Sequence, residues 1–141
     1  MSGPGGAGNM EFRAGRMQDL AHLAAFLDKA CAGIDAEAKC DVRLATEEVF
    51  TNIYMHGYRG QGGRVDIRVS HSPGWVTVEI VDQAPAFDPA SAPKPDIDPG
   101  FDDRSIGGLG WHMVRQVMDE IRWVPGEGRG NAYVLVKHVV A

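Results

Sequence analysis

Apolar residues at helical spacing predict two helices in the first half of the chain. Between residues 17 and 32 they recur every three or four positions, which is the period of one helical face, and Gly33 ends the pattern. Asp35 can cap a second, longer helix that extends to Gly57. The predicted buried stripe of this second helix consists of Ala38, Val42, Ala45, Val49 and Ile53.

Alternating apolar and polar residues predict two β-hairpins and one short edge strand. The first hairpin pairs residues 65–69 with residues 75–81. The second pairs residues 121–124 with residues 133–139. Residues 11–14 form the predicted edge strand.

A long irregular segment, residues 84–107, separates the two hairpins and is rich in proline and aspartate. Segments of this length without a period in a compact domain are usually functional lids or mobile loops, so we expect a lid here. The glycines that follow begin a third predicted helix. Its apolar face consists of Met113, Val114, Val117 and Met118.

The order of these elements predicts an α/β (α+β) two-layer sandwich. A mixed, mostly antiparallel sheet would be covered by helices on one face. With 141 residues and a mass of 15.2 kDa, the chain has the size of a single domain. We place this domain at residues 11–141 and a flexible, glycine-rich tail at residues 1–10.

Composition and charge narrow the class of protein. Hydrophobic residues make up 44% and charged residues 23%, as in soluble globular proteins, and no apolar run reaches the roughly 20 residues of a membrane span. The N-terminus lacks the features of a secretory signal, so we expect a cytoplasmic protein. The net charge of −5 argues against a nucleic-acid partner, because such binding depends on clustered Lys and Arg.

Cys31 and Cys40 show neither zinc-site nor disulfide spacing, and we expect two buried, reduced thiols.

Three polar residues on the second helix are the first candidate site. Glu48, Asn52 and His56 follow one another at intervals of four residues, so on an α-helix they share a face that borders the buried stripe. A glutamate there can act as a base, and an asparagine oxygen can ligate Mg²⁺. On spacing alone, a solvated helix face that ends in a histidine is the commoner explanation.

Two further motifs have the chemistry of a nucleotide site. Asp82 ends a strand, where its carboxylate can accept a hydrogen bond from an exocyclic amine, although turn-forming aspartates are common at such positions. Gly107, Gly108 and Gly110 open a helix, where backbone N–H groups and the helix dipole favour phosphate. The lysine of a P-loop is missing, so a flexible hinge is an equal alternative.

Three stretches, taken in order, resemble successive motifs of one protein family. They read Glu48-Val-Phe-Thr-Asn52-Ile-Tyr-Met-His56-Gly-Tyr58, then Asp82-Gln-Ala-Pro-Ala-Phe87-Asp-Pro89, then Gly107-Gly-Leu-Gly110-Trp-His-Met-Val-Arg-Gln-Val-Met118-Asp119. This order is similar to that of the anti-sigma-factor serine/threonine kinases in the histidine-kinase-like (GHKL) ATPase superfamily, across residues 12–139. The resemblance implies the Bergerat α/β sandwich, with an ATP lid and with ATP and Mg²⁺ as cofactors.

The resemblance also implies a role for each motif. Asn52 would hold the Mg²⁺ that bridges the ATP phosphates, and Glu48 would be the general base toward a Ser or Thr hydroxyl of a partner protein. Asp82 would accept a hydrogen bond from the adenine amino group. Gly108 and Gly110 would donate backbone hydrogen bonds to phosphate. The implied nucleotide-binding set also contains Ala84, Phe87, Gly107, Asn131 and Arg104, the last as a lid cation that touches the γ-phosphate.

Two positions depart from the family pattern. Ala84 stands where the family usually has Gly, so its methyl group would crowd the purine or restrict the turn and lower nucleotide affinity. Asn131 follows Gly130 where many relatives have Thr. The usual hydroxyl beside the adenine is therefore missing, although an asparagine can still hold a water.

The resemblance implies a partner-switching regulator that phosphorylates a Ser or Thr of an anti-anti-sigma antagonist and sequesters a sigma factor or similar client. The two departures favour an alternative, a nucleotide-gated protein-binding module without kinase activity. A detached ATP-binding half of a two-component histidine kinase is a further alternative, although no part of this sequence is long enough to supply a phosphoacceptor-histidine domain. A homodimer is expected from the resemblance and from the apolar face of the first helix.

Overall fold

The computed structural model describes residues 8–87, 108–126 and 129–140, which form a five-stranded sheet covered by helices. The strands are β1 (Gly8–Ala14), β2 (Val65–Ser72), β3 (Trp75–Asp82), β4 (Glu120–Pro125) and β5 (Asn131–His138). They lie in the order β1-β2-β3-β5-β4, and each neighbouring pair is antiparallel. β3 is therefore the central strand, and the described sheet is antiparallel rather than mixed.

The helices pack against one face of this sheet. α1 (Leu20–Ala30) follows a 3-10 turn at Met17–Asp19, α2 is Ala36–Asn52, and α3 is Gly108–Val117. α2 contacts both other helices as well as β3 and β5, so it is central to the helical layer. This two-layer α/β arrangement confirms the predicted fold class. Among the described helices, none is long and apolar enough to cross a membrane.

Alternation along the strands places apolar side chains on the face that the helices cover. The buried set in β2 and β3 is Val65, Ile67, Val69, Val76, Val78 and Ile80. On the opposite face, charged side chains pair across strands: Arg68 with Glu11 at 2.9 Å, and Arg13 with Asp66 at 2.7 Å. The core therefore lies between the sheet and the helices.

α2 begins and packs as the sequence predicts. The Asp35 carboxylate accepts a hydrogen bond from the Ala38 N–H at 3.1 Å, which satisfies one of the free N–H groups of the first turn. The predicted stripe is buried in full, and it comprises Ala38, Val42, Ala45, Val49 and Ile53. The helix is thus fixed at its start by the cap and along its length by the core.

Two element boundaries differ from the prediction. β1 begins at Gly8 rather than at residue 11, because Gly8 to Met10 continue the antiparallel pairing with β2. These three residues therefore belong to the sheet, not to the predicted tail. The first helix ends at Ala30, and the chain then reaches Gly33, whose φ of +87° is not compatible with a continuing helix.

The apolar face of α1 is used inside the domain. Leu23 and Leu27 are buried in the core, and the Phe26 ring lies 5.3 Å from the Phe12 ring of β1. This face therefore gives no support for the homodimer that was inferred from it. Cys40 is exposed, contrary to prediction, because it lies on α2 outside the buried stripe.

Removal of the Asp35 cap should lower the free energy of unfolding by about 1 kcal/mol. Asp35→Ala deletes the acceptor for the Ala38 N–H, whereas Asp35→Asn keeps a side-chain oxygen and should remain close to wild type. Urea unfolding measures both variants. Equal stability of the alanine variant and the wild type would show that the cap bond contributes nothing.

Candidate functional site

Glu48 and Asn52 lie four residues apart near the end of α2 and therefore on one side of the helix. Beyond Asn52 the backbone widens into a π-helical turn, Ile53–Gly57, and the N–H of Tyr58 donates to the carbonyl five residues earlier at 2.8 Å. His56 is exposed within this turn. It does not continue the α-helical row that the spacing predicted, because the extra residue per turn rotates it. Turns of this kind are frequent at functional sites.

The Glu48 and Asn52 side chains are both half-buried and lie in an unusual environment. Burial raises the pKa of the Glu48 carboxyl above its ordinary value, and the charge of Glu47 raises it further. The Asn52 amide nitrogen is buried and has no hydrogen-bond partner among the described residues. A carboxyl group with a raised pKa thus lies one helical turn from an amide nitrogen that has no hydrogen-bond partner among the described residues.

The Asp82 carboxylate is buried at the end of β3, where the residue is 3% exposed. Its Oδ1 accepts hydrogen bonds from the Ala84 N–H and from the Asn131 amide, both at 2.9 Å. Within the described part of the chain, its buried Oδ2 has no partner. Burial raises the pKa of this carboxyl, although hydrogen bonds from Ala84 and Asn131 oppose the shift. An exocyclic amine of a ligand would satisfy the second oxygen, so the carboxylate fits the predicted adenine contact.

Protein groups occupy the whole side-chain amide of Asn131, so the water that an asparagine can hold at this position would find no free group on it. Its nitrogen donates to Asp82 at 2.9 Å and to the Pro85 carbonyl at 3.1 Å. Its oxygen accepts from the Trp123 indole and from the Phe87 N–H, both at 2.8 Å. These bonds use both donors and both lone pairs of the amide. Asn131 therefore fixes the loop after β3 and leaves no capacity for a water.

The Ala84 methyl group is buried against the π-helical turn. Ala84 is 1% exposed, and a Cβ built on Gly57 would lie only 2.9 Å from its methyl carbon. The missing side chain at Gly57 therefore makes room for the methyl group. Of the two effects predicted for Ala84, this contact favours a restricted turn over a crowded purine.

Tyr58 and Gly130 hold the loop after β3 from two sides. The Tyr58 hydroxyl accepts a hydrogen bond from the Gln83 N–H at 2.8 Å and donates to the Arg64 carbonyl at 2.6 Å. Gly130 has a φ of +96°, and a Cβ there would lie 2.7 Å from the Asp82 carbonyl oxygen. Only glycine fits at that position without moving the backbone.

α3 begins beside the same loop. Its buried Trp111 ring lies 6.3 Å from the Phe87 ring and 5.3 Å from the Tyr133 ring. Gly108 and Gly110 are in the first turn of α3, where the helix dipole and free N–H groups favour an anion. α3 also packs on α2. The elements that carry the three sequence motifs are therefore in mutual contact.

Part of the predicted site lies outside the described residues. Arg104, Gly107 and residues 88–106 of the predicted lid belong to that part, so their contacts stay predictions. In the described ranges, no group of three or more His, Cys, Asp or Glu side chains could hold a metal. A Mg²⁺ ion at Asn52 would therefore need phosphate oxygens or waters as further ligands, as is usual for this ion.

Comparison with known proteins decides the family. Residues 12–137 match the family described as "Histidine kinase-like ATPase domain". The chain belongs to this family. Membership in the histidine kinase-like ATPase family implies ATP binding. Among the described residues, the unpartnered Asn52 nitrogen can donate a hydrogen bond and the unpartnered Asp82 oxygen can accept one.

The relatives of this histidine kinase-like ATPase domain include bacterial regulators. An anti-sigma F factor of Clostridium acetobutylicum is 29% identical over 125 residues, which is 84% of this chain and 79% of the relative. An anti-sigma F factor of Thermoanaerobacter sp. is 26% identical over 104 residues, covering 73% and 72%. A serine-protein kinase RsbW of Listeria innocua is 29% identical over 114 residues, covering 77% and 71%. The resemblance to anti-sigma-factor kinases is thus confirmed.

Two residues that shape the candidate site, Gly57 and Trp123, were not identified from the sequence. Gly57 and Trp123 act only through contacts with distant segments, with the Ala84 methyl group and the Asn131 amide respectively. Their own neighbourhoods in the sequence carry no signal for these roles. Ala84 was the one signal in the sequence that pointed to Gly57. A side chain at a position that usually has glycine needs a smaller residue beside it.

Gly57→Ala should lower the free energy of unfolding by about 1–3 kcal/mol, because the new Cβ would overlap the Ala84 methyl group. The double variant Gly57→Ala, Ala84→Gly removes the overlapping group and should recover most of the loss. Denaturant unfolding of both single variants and the double variant gives the coupling free energy. If the losses of stability in the two single variants simply added in the double variant, the close contact would be contradicted.

The ionised Asp82 carboxylate should make the folded state less stable as pH rises. The folded protein holds this proton more tightly than the unfolded chain, so the free energy of unfolding falls as pH increases from the ordinary value of 3.8 through the raised pKa. Asp82→Asn has no such titration. Unfolding of both proteins across this pH range should show the stability of the wild type falling relative to the variant. A difference that does not change with pH would mean that the carboxyl titrates normally.

Proposed function

We propose that this chain is an ATP-binding anti-sigma-factor-type regulator that phosphorylates a Ser or Thr of an anti-anti-sigma antagonist in a partner-switching pathway. It would sequester a sigma factor or similar client when the antagonist is phosphorylated. The observation that carries the proposal is the half-buried Glu48, with its raised pKa, one helical turn from the Asn52 amide. Similarity to anti-sigma F factors and to the serine-protein kinase RsbW supports it.

In the proposed complex, residues of the three motifs would bind the nucleotide. Asp82 would accept a hydrogen bond from the adenine amino group on its Oδ2, and the Phe87 and Asn131 contacts would hold that loop in place. Asn52 would hold Mg²⁺, which neutralises phosphate charge when bound. The helix start at Gly108 would meet the phosphates, with Gly107, Gly110 and Arg104 completing the set.

Glu48 would act as the general base for transfer. Its carboxylate would take the proton of the partner hydroxyl while that oxygen forms a bond to the γ-phosphorus. The bond between the γ-phosphorus and the bridging oxygen breaks, and ADP leaves. A raised pKa makes the carboxylate a stronger base at neutral pH. The base must be ionised, so the rate should fall as the pH is lowered through that pKa.

A nucleotide-gated binding module without phosphoryl transfer is the second candidate. The Asn131 network favours it, because an amide that is fully used by protein groups replaces the hydroxyl usual beside the adenine. Incubation of the antagonist with this protein, ATP and Mg²⁺, followed by mass spectrometry, separates the candidates. A kinase adds one phosphate to a Ser or Thr, and a binding module adds none.

Glu48→Gln should reduce the rate of antagonist phosphorylation by about 100-fold or more, because it removes the base but keeps the shape of the side chain. Calorimetry should show ATP affinity close to that of the wild type. Glu47→Gln is the matched control, since it removes the same charge from the adjacent residue and should retain phosphorylation. Phosphorylation that survives Glu48→Gln would reject the assigned base.

The same control variant tests the pH dependence. The Glu47 charge raises the pKa of Glu48, so Glu47→Gln should shift the acidic limb of the rate profile to lower pH. If the acidic limb of the Glu47→Gln profile matched that of the wild type, a group other than Glu48 would titrate in that pH range.

A further inference from the structure

A cavity of about 600 Å³ lies beside the loop after β3, and we name it the arginine cavity. Its walls include Arg59, Arg64 and Arg129, together with Tyr58 and Gln83. Among the described residues, no aspartate or glutamate lines it. Three arginine residues thus line one cavity of a chain whose net charge is −5.

The positive charge in the arginine cavity is only partly neutralised. Arg64 pairs with Asp66 at 2.7 Å, but the same carboxylate also pairs with Arg13 at 2.7 Å. Arg129 donates to a backbone carbonyl, which is a neutral group. Within the described ranges, Arg59 has neither an ion pair nor a hydrogen-bonded partner. Within the described residues, Arg64 is therefore the only arginine of the cavity that pairs with a carboxylate.

The arginine cavity and the proposed purine contact lie on different faces of one loop. Asp82 and Ala84 are buried, whereas Gln83 and Pro85 are exposed and line the cavity. Asn52, Asp82 and Asn131 do not line the cavity. The arginines are therefore distinct from the described side chains that would contact the nucleotide in the proposed function.

We propose that the arginine cavity binds a small molecule that carries two or more phosphate groups. The cavity is open to solvent, and its volume of about 600 Å³ is large enough to hold a small molecule. Guanidinium groups form paired, charge-assisted hydrogen bonds with phosphate oxygens, and their planar shape suits this geometry better than that of an ammonium group. A single phosphate would fill little of the cavity, whereas a linear polyphosphate can contact more than one arginine.

Inorganic tripolyphosphate, titrated calorimetrically into the full chain without Mg²⁺, is the probe. The double variant Arg59→Ala, Arg64→Ala should bind it at least about tenfold more weakly, since two of the charge-assisted contacts are lost. The matched control is Arg68→Ala with Arg122→Ala, which removes the same charge from exposed positions outside the cavity. The control pair should retain wild-type affinity.

Equal weakening by both double variants would indicate a general charge effect and overturn the proposal. Citrate and a short peptide of Asp and Glu should bind more weakly than tripolyphosphate, and tighter binding of either would overturn the assignment to phosphate. Amide NMR shifts on addition of the probe should centre on Gly62, Gly63 and Gln83, and shifts confined to α3 would place the ligand elsewhere.

Discussion

The half-satisfied carboxylate of Asp82 is the interaction on which the rest of the site depends. A buried charge is costly unless hydrogen-bond donors surround it, and here the fold supplies donors to one oxygen only. Those donors, the Ala84 N–H and the Asn131 amide, belong to segments that in turn position Phe87 and Trp123. The network is complete except at the oxygen where a purine amine would bind. The proposed ligand contact and the structure of the loop therefore belong to one hydrogen-bonded system.

Elements that bury a regular stripe could be predicted from the sequence. α2 combines a capping residue with a period that is visible along its whole length, and β2 and β3 alternate without interruption. The π-helical turn at Ile53–Gly57 could not be predicted, because its apolar pattern is that of a continuing α-helix. The start of β1 was also missed, because pairing with β2, rather than its own side chains, makes Gly8 to Met10 a strand.

The candidate site was predictable only where a motif carries the chemistry. Glu48, Asn52 and Asp82 were identified because carboxylate and amide groups at these positions match the order of a known family. Gly57 and Asn131 act through residues that are distant in sequence, namely the Ala84 methyl group and the Asp82 carboxylate. These contacts could not be identified from the residue type at either position alone. Whether a buried polar group has a hydrogen-bond partner depends on all the donors and acceptors around it, and only the folded chain defines that set.

The Tyr58 ring separates the turn before β2 from the loop after β3. A Cβ built on Gly63 would lie 2.4 Å from this ring, so the ring rests directly on the glycine backbone, and its hydroxyl reaches the Gln83 N–H. Tyr58 and Gly63 also belong to the wall of the arginine cavity. The distance between this turn and the loop after β3 is therefore set by the dimensions of one aromatic side chain. A substitution in a turn without any reactive group would move the loop and alter the width of the cavity.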